Sequence, residues 1–283
     1  MKIKEQDFNL VSTDGTILKG YLWKPADNNI KATLSIIHGI GEYSLRYSEF
    51  AEQFCREGIM VYSFDLRGHG YSEGKRGHVN SLNEYYDDIS TIVRRSKRNW
   101  GDVPGFIYGH SMGGNLLLSY LMHMRQDFAG AIVSSPWLEL YRQPGSFLLK
   151  AGALLDHIIP EVTFKTGLKA KDMTSVKSEK KRSKKDKLIH KKITLRLFNE
   201  LYNSSIDIMN YPFPVEIPLF IIHGEDDRVT RSLASETFAG YNPDLFDYKK
   251  YKNGRHELHR DGCRVEVIND IINWIDDVLK SRK

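Results

Sequence analysis

The chain has 283 residues, of which 41% are hydrophobic and 27% charged, and this balance excludes a largely disordered or fibrous protein. No stretch approaches the roughly 18 consecutive apolar residues that a membrane span needs, and the N-terminus lacks the apolar segment of a signal peptide. Cys55 and Cys263 are too few for a disulfide scaffold and have no metal-ligand spacing. We therefore expect a soluble, cytoplasmic protein with one core.

The charge of the chain is unevenly distributed. The formal net charge is +5, but the segment from Lys165 to Arg196 alone carries +10, so the rest of the chain carries −5. This basic segment is a candidate for peripheral contact with an anionic membrane surface or another acidic partner, and a solvated surface is the alternative. No Phe, Tyr or Trp lies between Phe164 and Phe198, so no nucleic-acid partner is expected.

Strand-like and helix-like segments alternate in residues 32–135 and 215–283. Before them, two strand-like segments flank a tight turn at Thr13-Asp14-Gly15, which predicts an N-terminal hairpin. The alternation after the hairpin is typical of a parallel sheet covered by helices, an α/β fold. The remaining strands are predicted at ATLSIIH, IMVYSFD, GFIYGH, AGAIVSS, PLFIIHG and FDYKKY.

Residues 136–214 interrupt this alternation, because no strand is evident and helical segments are joined by the basic segment. We interpret them as a helical insertion above the carboxyl ends of the strands, where ligands bind in open α/β sheets. The insertion would act as a lid on a core formed by residues 1–135 and 215–283. Its apolar segment, residues 147–159, would either cover an acyl chain or pack against the core.

Residues 109–113, GHSMG, match the pattern G-x-S-x-G directly after a predicted strand and before a predicted helix. In this setting the serine occupies a strained, sharp turn that leaves little room for neighbouring side chains and exposes its hydroxyl. The N-terminus of the helix favours a developing negative charge beside it. Ser111 is therefore the predicted nucleophile.

A serine hydroxyl needs a positioned base, which a carboxylate in turn orients. For a strand–serine–helix turn, the acid and then the histidine follow the serine along the chain. Asp227 follows one predicted strand and is preferred as the acid, with Asp226 as the alternative. His256 is preferred as the base because it is the first histidine after the turn at Gly254.

A tetrahedral oxyanion requires two preorganised hydrogen-bond donors. One is expected to be the backbone N–H of Met112, which follows the nucleophile. The other is expected to be the N–H of Ile40, in the loop after the first buried strand. Since protein dipoles can supply this charge stabilisation, neither a metal ion nor an organic cofactor is expected.

Five segments of the chain together resemble the monoacylglycerol lipase and lysophospholipase group of the α/β-hydrolases, a family of serine hydrolases. They are HGIGEYSLRY, DLRGHGYSEG, GHSMGG, HGEDDRV and RHELHRD, and the resemblance extends from about residue 8 to 278. It implies a mostly parallel eight-stranded sheet flanked by helices, with a helical lid insertion. In the lid segment DKLIHKKITLRL, Lys187 stands where the group usually has proline.

The resemblance assigns the same catalytic roles to Ser111, Asp227 and His256. It also implies that Glu42, Arg46 and His259 bind the polar head group of the substrate. For Glu42 and Arg46, a surface ion pair is the alternative.

The expected activity is cleavage of the ester bond of monoacylglycerols or lysophospholipids through an acyl-enzyme intermediate, with release of a fatty acid. One alternative is a general carboxylesterase or peptidase-like hydrolase that acts on small soluble substrates. Another is a non-catalytic protein that keeps the pocket as a ligand receptor.

Overall fold

In a computed structural model of the chain, residues 3–25, 29–124, 127–210 and 215–282 are described. These residues form ten strands, eight of which belong to one sheet. In chain order the strands are β1 (Lys4–Val11), β2 (Ile17–Lys24), β3 (Ala32–Ile37), β4 (Ile59–Phe64), β5 (Gly105–His110), β6 (Gly130–Ser134), β7 (Thr163–Lys165), β8 (Lys192–Thr194), β9 (Leu219–Gly224) and β10 (Phe246–Tyr251).

The main sheet has the strand order β1-β2-β4-β3-β5-β6-β9-β10. β2 is antiparallel to both of its neighbours, and all other neighbouring strands are parallel. The pairing of β1 with β2, in which Val11 lies opposite Ile17, confirms the predicted N-terminal hairpin. The mostly parallel sheet confirms the predicted α/β fold class.

Helices α1 and α9 pack on one face of this sheet, and α2 and α3 pack on the other. In chain order the helices of the described residues are α1 (Ser48–Arg56), α2 (Leu82–Trp100), α3 (Met112–His123), α4 (Ser146–Asp156), α5 (Ala170–Met173), α6 (Lys177–Lys185), α7 (Leu195–Asn210), α8 (Ser232–Ala239) and α9 (Arg264–Ser281), with short 3-10 helices at Ser44–Tyr47 and Leu258–Arg260. Among the described residues, no helix combines the length and apolar character that a bilayer crossing requires.

Each face of the sheet has its own apolar core, because successive strand residues point to opposite sides. In β3, Leu34 and Ile36 pack with α1 and α9, whereas Ile37 packs with α2 and α3. All six residues of β3 are buried, as expected for a central parallel strand. The sheet therefore holds the carboxyl ends of β3, β5, β6 and β9 side by side at one edge.

The segment between β6 and β9 contains α4 to α7 and a small antiparallel pair, β7 with β8. The expectation that this segment has no strand is therefore wrong. Each of these strands has only three residues, which is too short for an alternating pattern to be recognised. The predicted end of the insertion, residue 214, lies outside the described residues.

Helix α4 lies on the surface, and none of its residues is buried. Phe147 is 85% exposed and Leu154 is 69% exposed. The helix is held on α7 by the side-chain amide of Asn199, which donates to the carbonyl oxygen of Gly152 at 3.2 Å. The apolar face of α4 thus neither packs into the core nor lines a closed pocket.

A buried ion pair connects the N-terminal hairpin with α2. Arg67, after β4, donates from Nε and Nη2 to the two carboxylate oxygens of Asp88, each at 2.7 Å. Ser12 donates to the same carboxylate at 2.6 Å, and Arg67 Nη1 reaches Asp14 in the hairpin turn at 2.7 Å. Asp88 is fully buried and binds two of the three guanidinium nitrogens of Arg67. Without its charge, Arg67 would keep only the more exposed Asp14 and Glu84 as ionic partners.

We expect Asp88→Asn to lower the free energy of unfolding by about 3 kcal/mol, because the guanidinium of Arg67 stays buried and loses the negative charge that compensates it. The matched control is Asp87→Asn, whose carboxylate accepts a hydrogen bond only at the surface from Thr13. The control should change stability by about 0.5 kcal/mol or less. Urea denaturation of the three proteins measures both values, and equal stabilities would contradict the role of the pair.

Candidate active site

Ser111 occupies the turn that joins β5 to α3. Its backbone has φ 55° and ψ −115°, a strained conformation for a residue with a side chain. The turn is held by hydrogen bonds from Ser111 N to Ser134 O at 3.0 Å and from Asn115 N to Ser111 O at 3.1 Å. The structure therefore places the serine in the sharp strand-to-helix turn that the sequence motif predicts.

The two glycines of the motif are explained by close packing around this turn. A Cβ added to Gly113 would lie 2.6 Å from the carbonyl oxygen of His38, at the end of β3. A Cβ added to Gly109 would lie 2.8 Å from the carbonyl carbon of Gly113. Side chains at these positions would push α3 away from the strands and displace the serine.

Three of the predicted site residues form a hydrogen-bonded series. Ser111 Oγ lies 2.8 Å from His256 Nε2, and His256 Nδ1 lies 2.8 Å from Asp227 Oδ2. A histidine that donates from Nδ1 to the carboxylate can accept the serine proton at Nε2. The order serine, histidine, carboxylate is the arrangement that activates a hydroxyl nucleophile.

Asp227 is oriented by several donors after β9. Its Oδ1 accepts hydrogen bonds from the backbone N–H groups of Val229 at 2.7 Å and Thr230 at 3.1 Å. Its Oδ2 also accepts from His223 Nε2 at 3.1 Å. The alternative acid, Asp226, has an exposed side chain, so the geometry favours Asp227.

The negative charge of Asp227 and the positive charge of protonated His256 stabilise each other, although both side chains are buried. Burial lowers the pKa of His256, but the negative charge of Asp227 and the hydrogen bond to it outweigh burial and raise the pKa above its usual value of 6.5. Burial raises the pKa of Asp227, but the charge of His256 and the hydrogen bonds from His223 and His256 hold it well below its usual range. The acid thus stays ionised beside a histidine that binds a proton readily.

The two predicted oxyanion donors lie beside the serine. Met112 begins α3, and Ile40 belongs to the loop after β3. That loop lies against the serine, since a Cβ added to Gly39 would be 3.3 Å from Ser111 Cβ. Within the described part of the chain, neither the N–H of Ile40 nor that of Met112 donates a hydrogen bond. Both groups are free to bind an oxyanion, and that role stays a prediction.

Two cavities meet at Ser111. The first has a volume of about 210 Å³ and is lined on the core side by Glu42, Arg46 and Glu257. Its opposite wall is formed by ten residues of the insertion between positions 168 and 191, among them Lys169, Lys184 and Lys191. The second has a volume of about 90 Å³ and is mostly apolar, with a lining that includes Trp137, Leu140, Phe164, Leu168 and Phe198.

Glu42 and Arg46 form a buried ion pair, not a surface pair. Arg46 Nε donates to Glu42 Oε2 at 3.1 Å, and the two side chains are only 3% and 7% exposed. The other oxygen of Glu42 accepts from Gly39 N at 2.6 Å and from Tyr47 Oη at 2.8 Å. Arg46 also donates to Glu257 Oε1 at 2.7 Å. The pair thus fixes the Ile40 loop and binds it to the residue after His256.

His259 is the predicted head-group residue that the structure does not bring to the first cavity. His259 lies in the 3-10 helix Leu258–Arg260, and its ring stacks on that of Tyr47, with ring centroids 4.4 Å apart. It lines a neighbouring cavity that lies on the other side of Arg46. The short helix after His256 accounts for this placement, which spacing along the sequence does not reveal.

The basic segment is fastened to the core by polar contacts. Tyr43 donates to Asp186 at 2.7 Å, and Arg46 Nη1 donates to Ser183 Oγ at 3.2 Å. Glu179 of α6 pairs with Arg260. None of the residues of α6 is buried, and these contacts hold the helix over the first cavity, which its Lys184 lines.

A model of the family described as serine aminopeptidase S33 matches residues 28–262. An uncharacterized abhydrolase domain-containing protein of Dictyostelium discoideum is 34% identical over 278 residues, which cover 97% of this chain and 29% of that protein. A monoglyceride lipase of Rattus norvegicus is 28% identical over 272 residues, which cover 94% of this chain and 89% of the relative. A phospholipase of Bacillus subtilis is 29% identical over 265 residues, 92% of this chain and 100% of the relative.

This chain therefore spans less than a third of the Dictyostelium protein and most of the other two relatives. Among solved structures, a soluble variant of the monoglyceride lipase of Saccharomyces cerevisiae in complex with a substrate analog has a TM-score of 0.85 to this chain. The two are 24% identical, and the match covers 98% of this chain and 95% of that chain. The likeness shows a shared fold.

We expect the imidazole of His256 to titrate above pH 6.5 in the wild type and below it in Asp227→Asn. Asparagine removes the negative charge that outweighs burial, so the neutral ring becomes favoured. NMR titration of isotope-labelled histidine measures both pKa values. The matched control is Asp226→Asn, whose exposed side chain should leave the His256 pKa unchanged. A pKa that stays above 6.5 in Asp227→Asn would contradict the assignment of the charge partner.

Proposed function

The chain belongs to the serine aminopeptidase S33 family, and we propose on that premise that it is a serine ester hydrolase for monoacylglycerols or lysophospholipids. The hydrogen bonds from Ser111 to His256 and from His256 to Asp227 carry the proposal, because they supply a nucleophile, a base and an orienting acid. The relatives named monoglyceride lipase and phospholipase support the substrate class.

In the first step, Ser111 Oγ bonds to the ester carbonyl carbon while His256 Nε2 takes the hydroxyl proton. The carbonyl oxygen becomes an oxyanion, and the free N–H groups of Ile40 and Met112 bind it. When the tetrahedral intermediate collapses, the bond to the alcohol oxygen breaks. The alcohol leaves with the proton that His256 returns, and the acyl group stays on Ser111.

In the second step, water attacks the acyl carbon and gives a proton to His256. The bond to Ser111 Oγ then breaks, and His256 returns that proton to the serine. Asp227 remains ionised throughout and stabilises the protonated ring between the two transfers. The products are the fatty acid and the free serine.

The two cavities at Ser111 suggest how the substrate is oriented. The apolar cavity receives the acyl chain, since Trp137, Leu140 and Phe198 offer no charged group. The polar cavity receives the alcohol part beside Glu42 and Arg46. The small volume of the apolar cavity, about 90 Å³, also supports a second candidate, a carboxylesterase for short acyl groups.

Residues 136–214 act as a lid on a core formed by residues 1–135 and 215–283. This assignment is supported by Phe164 and Phe198, which line the apolar cavity, and by Lys184, which lines the polar one. All three residues belong to the insertion, so a substrate that reaches Ser111 passes between insertion and core.

The lid also makes peripheral contact with an anionic membrane surface. Phe147, Leu148 and Ile158 of the α4 region are 85%, 65% and 73% exposed, which is unusual for side chains of this size. The residues of the basic segment, with a net charge of +10, belong to the same insertion. An exposed apolar helix combined with basic residues is typical of proteins that bind the surface of a membrane.

We expect wild-type protein to release fatty acid from a long-chain monoacylglycerol and from the lysophosphatidylcholine of equal chain length. Ser111→Ala should lose at least about 1,000-fold in kcat/KM on both, because it removes the nucleophile. Turnover of a short p-nitrophenyl ester alone would favour the carboxylesterase. Activity that survives in Ser111→Ala would contradict the mechanism.

We expect the double variant Phe147→Ser with Leu148→Ser to bind anionic vesicles about tenfold more weakly than the wild type, since it removes apolar surface from α4. Flotation with phosphatidylglycerol-containing vesicles measures the binding. The matched control is Leu233→Ser in α8, where the leucine is 65% exposed but lies outside the insertion. If both variants bind the vesicles equally well, α4 takes no part in the membrane contact.

A further inference from the structure

Glu257 has an unusual place beside the candidate active site. It directly follows His256, lines the polar cavity at Ser111 and is only 4% exposed. Its Oε1 accepts a hydrogen bond from Arg46 Nη2 at 2.7 Å. Its Oε2 is buried and accepts no hydrogen bond from the described residues. A buried carboxylate oxygen without a donor is unfavourable. Because Oε2 has almost no accessible surface, the carboxylate has to turn toward the cavity that Glu257 lines before a donor on the substrate can bind it.

Glu42, the acid that sequence resemblance assigns to the head group, has no comparable free oxygen. Its Oε1 already accepts from Gly39 N and Tyr47 Oη, and its Oε2 accepts from Arg46 Nε. Arg46 is equally committed, because its three nitrogens donate to Glu42, Ser183 and Glu257. Both side chains therefore serve to hold the loop and the cavity wall.

The charges around the cavity are arranged by depth. Glu42, Arg46 and Glu257 are buried next to the serine, and together they carry one negative charge. Lys169, Lys184 and Lys191, from the insertion, also line the cavity but are exposed. An alcohol hydroxyl near the scissile ester would meet the buried acid, whereas an anionic group farther out would meet the lysines.

We propose that Glu257 is a specificity-determining residue whose Oε2 accepts a hydrogen bond from a free hydroxyl on the alcohol part of the substrate. The proposal rests on the proposed ester hydrolysis. Arg46 holds the carboxylate in place by its other oxygen, and the neighbouring His256 acts on the same alcohol when it leaves. Esters of polyols are thereby preferred to esters of simple alcohols that lack a second hydroxyl.

The test compares kcat/KM for a monoacylglycerol with kcat/KM for the methyl ester of the same fatty acid. The methyl ester reports on Ser111, His256 and acyl binding, so the ratio isolates the hydroxyl contact. In Glu257→Gln the ratio should fall about tenfold, because hydrogen bonds to charged acceptors are stronger than those to neutral ones. In Glu257→Leu, whose side chain has no hydrogen-bond acceptor, the ratio of the two kcat/KM values should fall further. An unchanged ratio in both variants would overturn the proposal.

The matched control is Glu57→Gln, which removes an exposed carboxylate that does not line the cavity at Ser111. Its ratio should equal that of the wild type. If the wild type cleaves neither the monoacylglycerol nor the methyl ester, the proposed function is refuted. That outcome differs from an unchanged ratio, which refutes only the role of Glu257.

A third substrate, the lysophosphatidylcholine of equal chain length, distinguishes the source of the hydroxyl. If its ratio to the methyl ester also falls in Glu257→Gln, the contact is to the glycerol hydroxyl that both lipids share. If only the monoacylglycerol is affected, the contact is to the hydroxyl that the phosphate replaces. Turnover of alanine 4-nitroanilide that depends on Glu257 would overturn the proposal in favour of an ammonium site.

Discussion

The sharp turn at Ser111 between β5 and α3 is the constraint on which the rest of the site depends. The turn is tight enough that Gly113 packs directly on the carbonyl groups at the end of β3. This contact brings the Ile40 loop, which follows β3, against the serine, and it directs the N-terminus of α3 to the same point. One packing contact between strands and helix therefore sets both the position of the nucleophile and that of the two free N–H groups.

Buried charges hold the surrounding loops in place. Asp227 fixes His256 and the residues after β9 through five donors: two backbone N–H groups, a hydroxyl and two imidazoles. On the opposite side, Glu42 and Glu257 share Arg46 and so join the Ile40 loop to the segment after β10. Removal of Asp227 would leave His256 without its charge partner, and removal of Arg46 would leave Glu42 and Glu257 buried without theirs. The geometry at Ser111 thus depends on two separate networks that meet at the neighbours His256 and Glu257.

The insertion has two parts that differ in how they contact the core. Its basic helix, α6, is fastened to side chains of the core through Ser183, Glu179 and the following residue Asp186, although none of its lysines is buried. The apolar helix α4 has no buried residue and is held through α7. Motion that admits a substrate is therefore easier for α4 than for α6, because fewer interactions with the core would have to break.

The sequence by itself determined the strands of the sheet, the N-terminal hairpin and the turn at residues 109–113. These features depend on local periodicity, turn residues and spacing, which a single chain displays directly. The sequence did not reveal β7 and β8, the contact of His223 with Asp227, the stacking of His259 on Tyr47 or the free oxygen of Glu257. None of these follows from local periodicity, because each depends on how side chains of a loop, a short strand or a 3-10 helix are turned once the chain has folded. Only tertiary packing decides such contacts, because it sets which polar atoms are buried together and which of them find a partner.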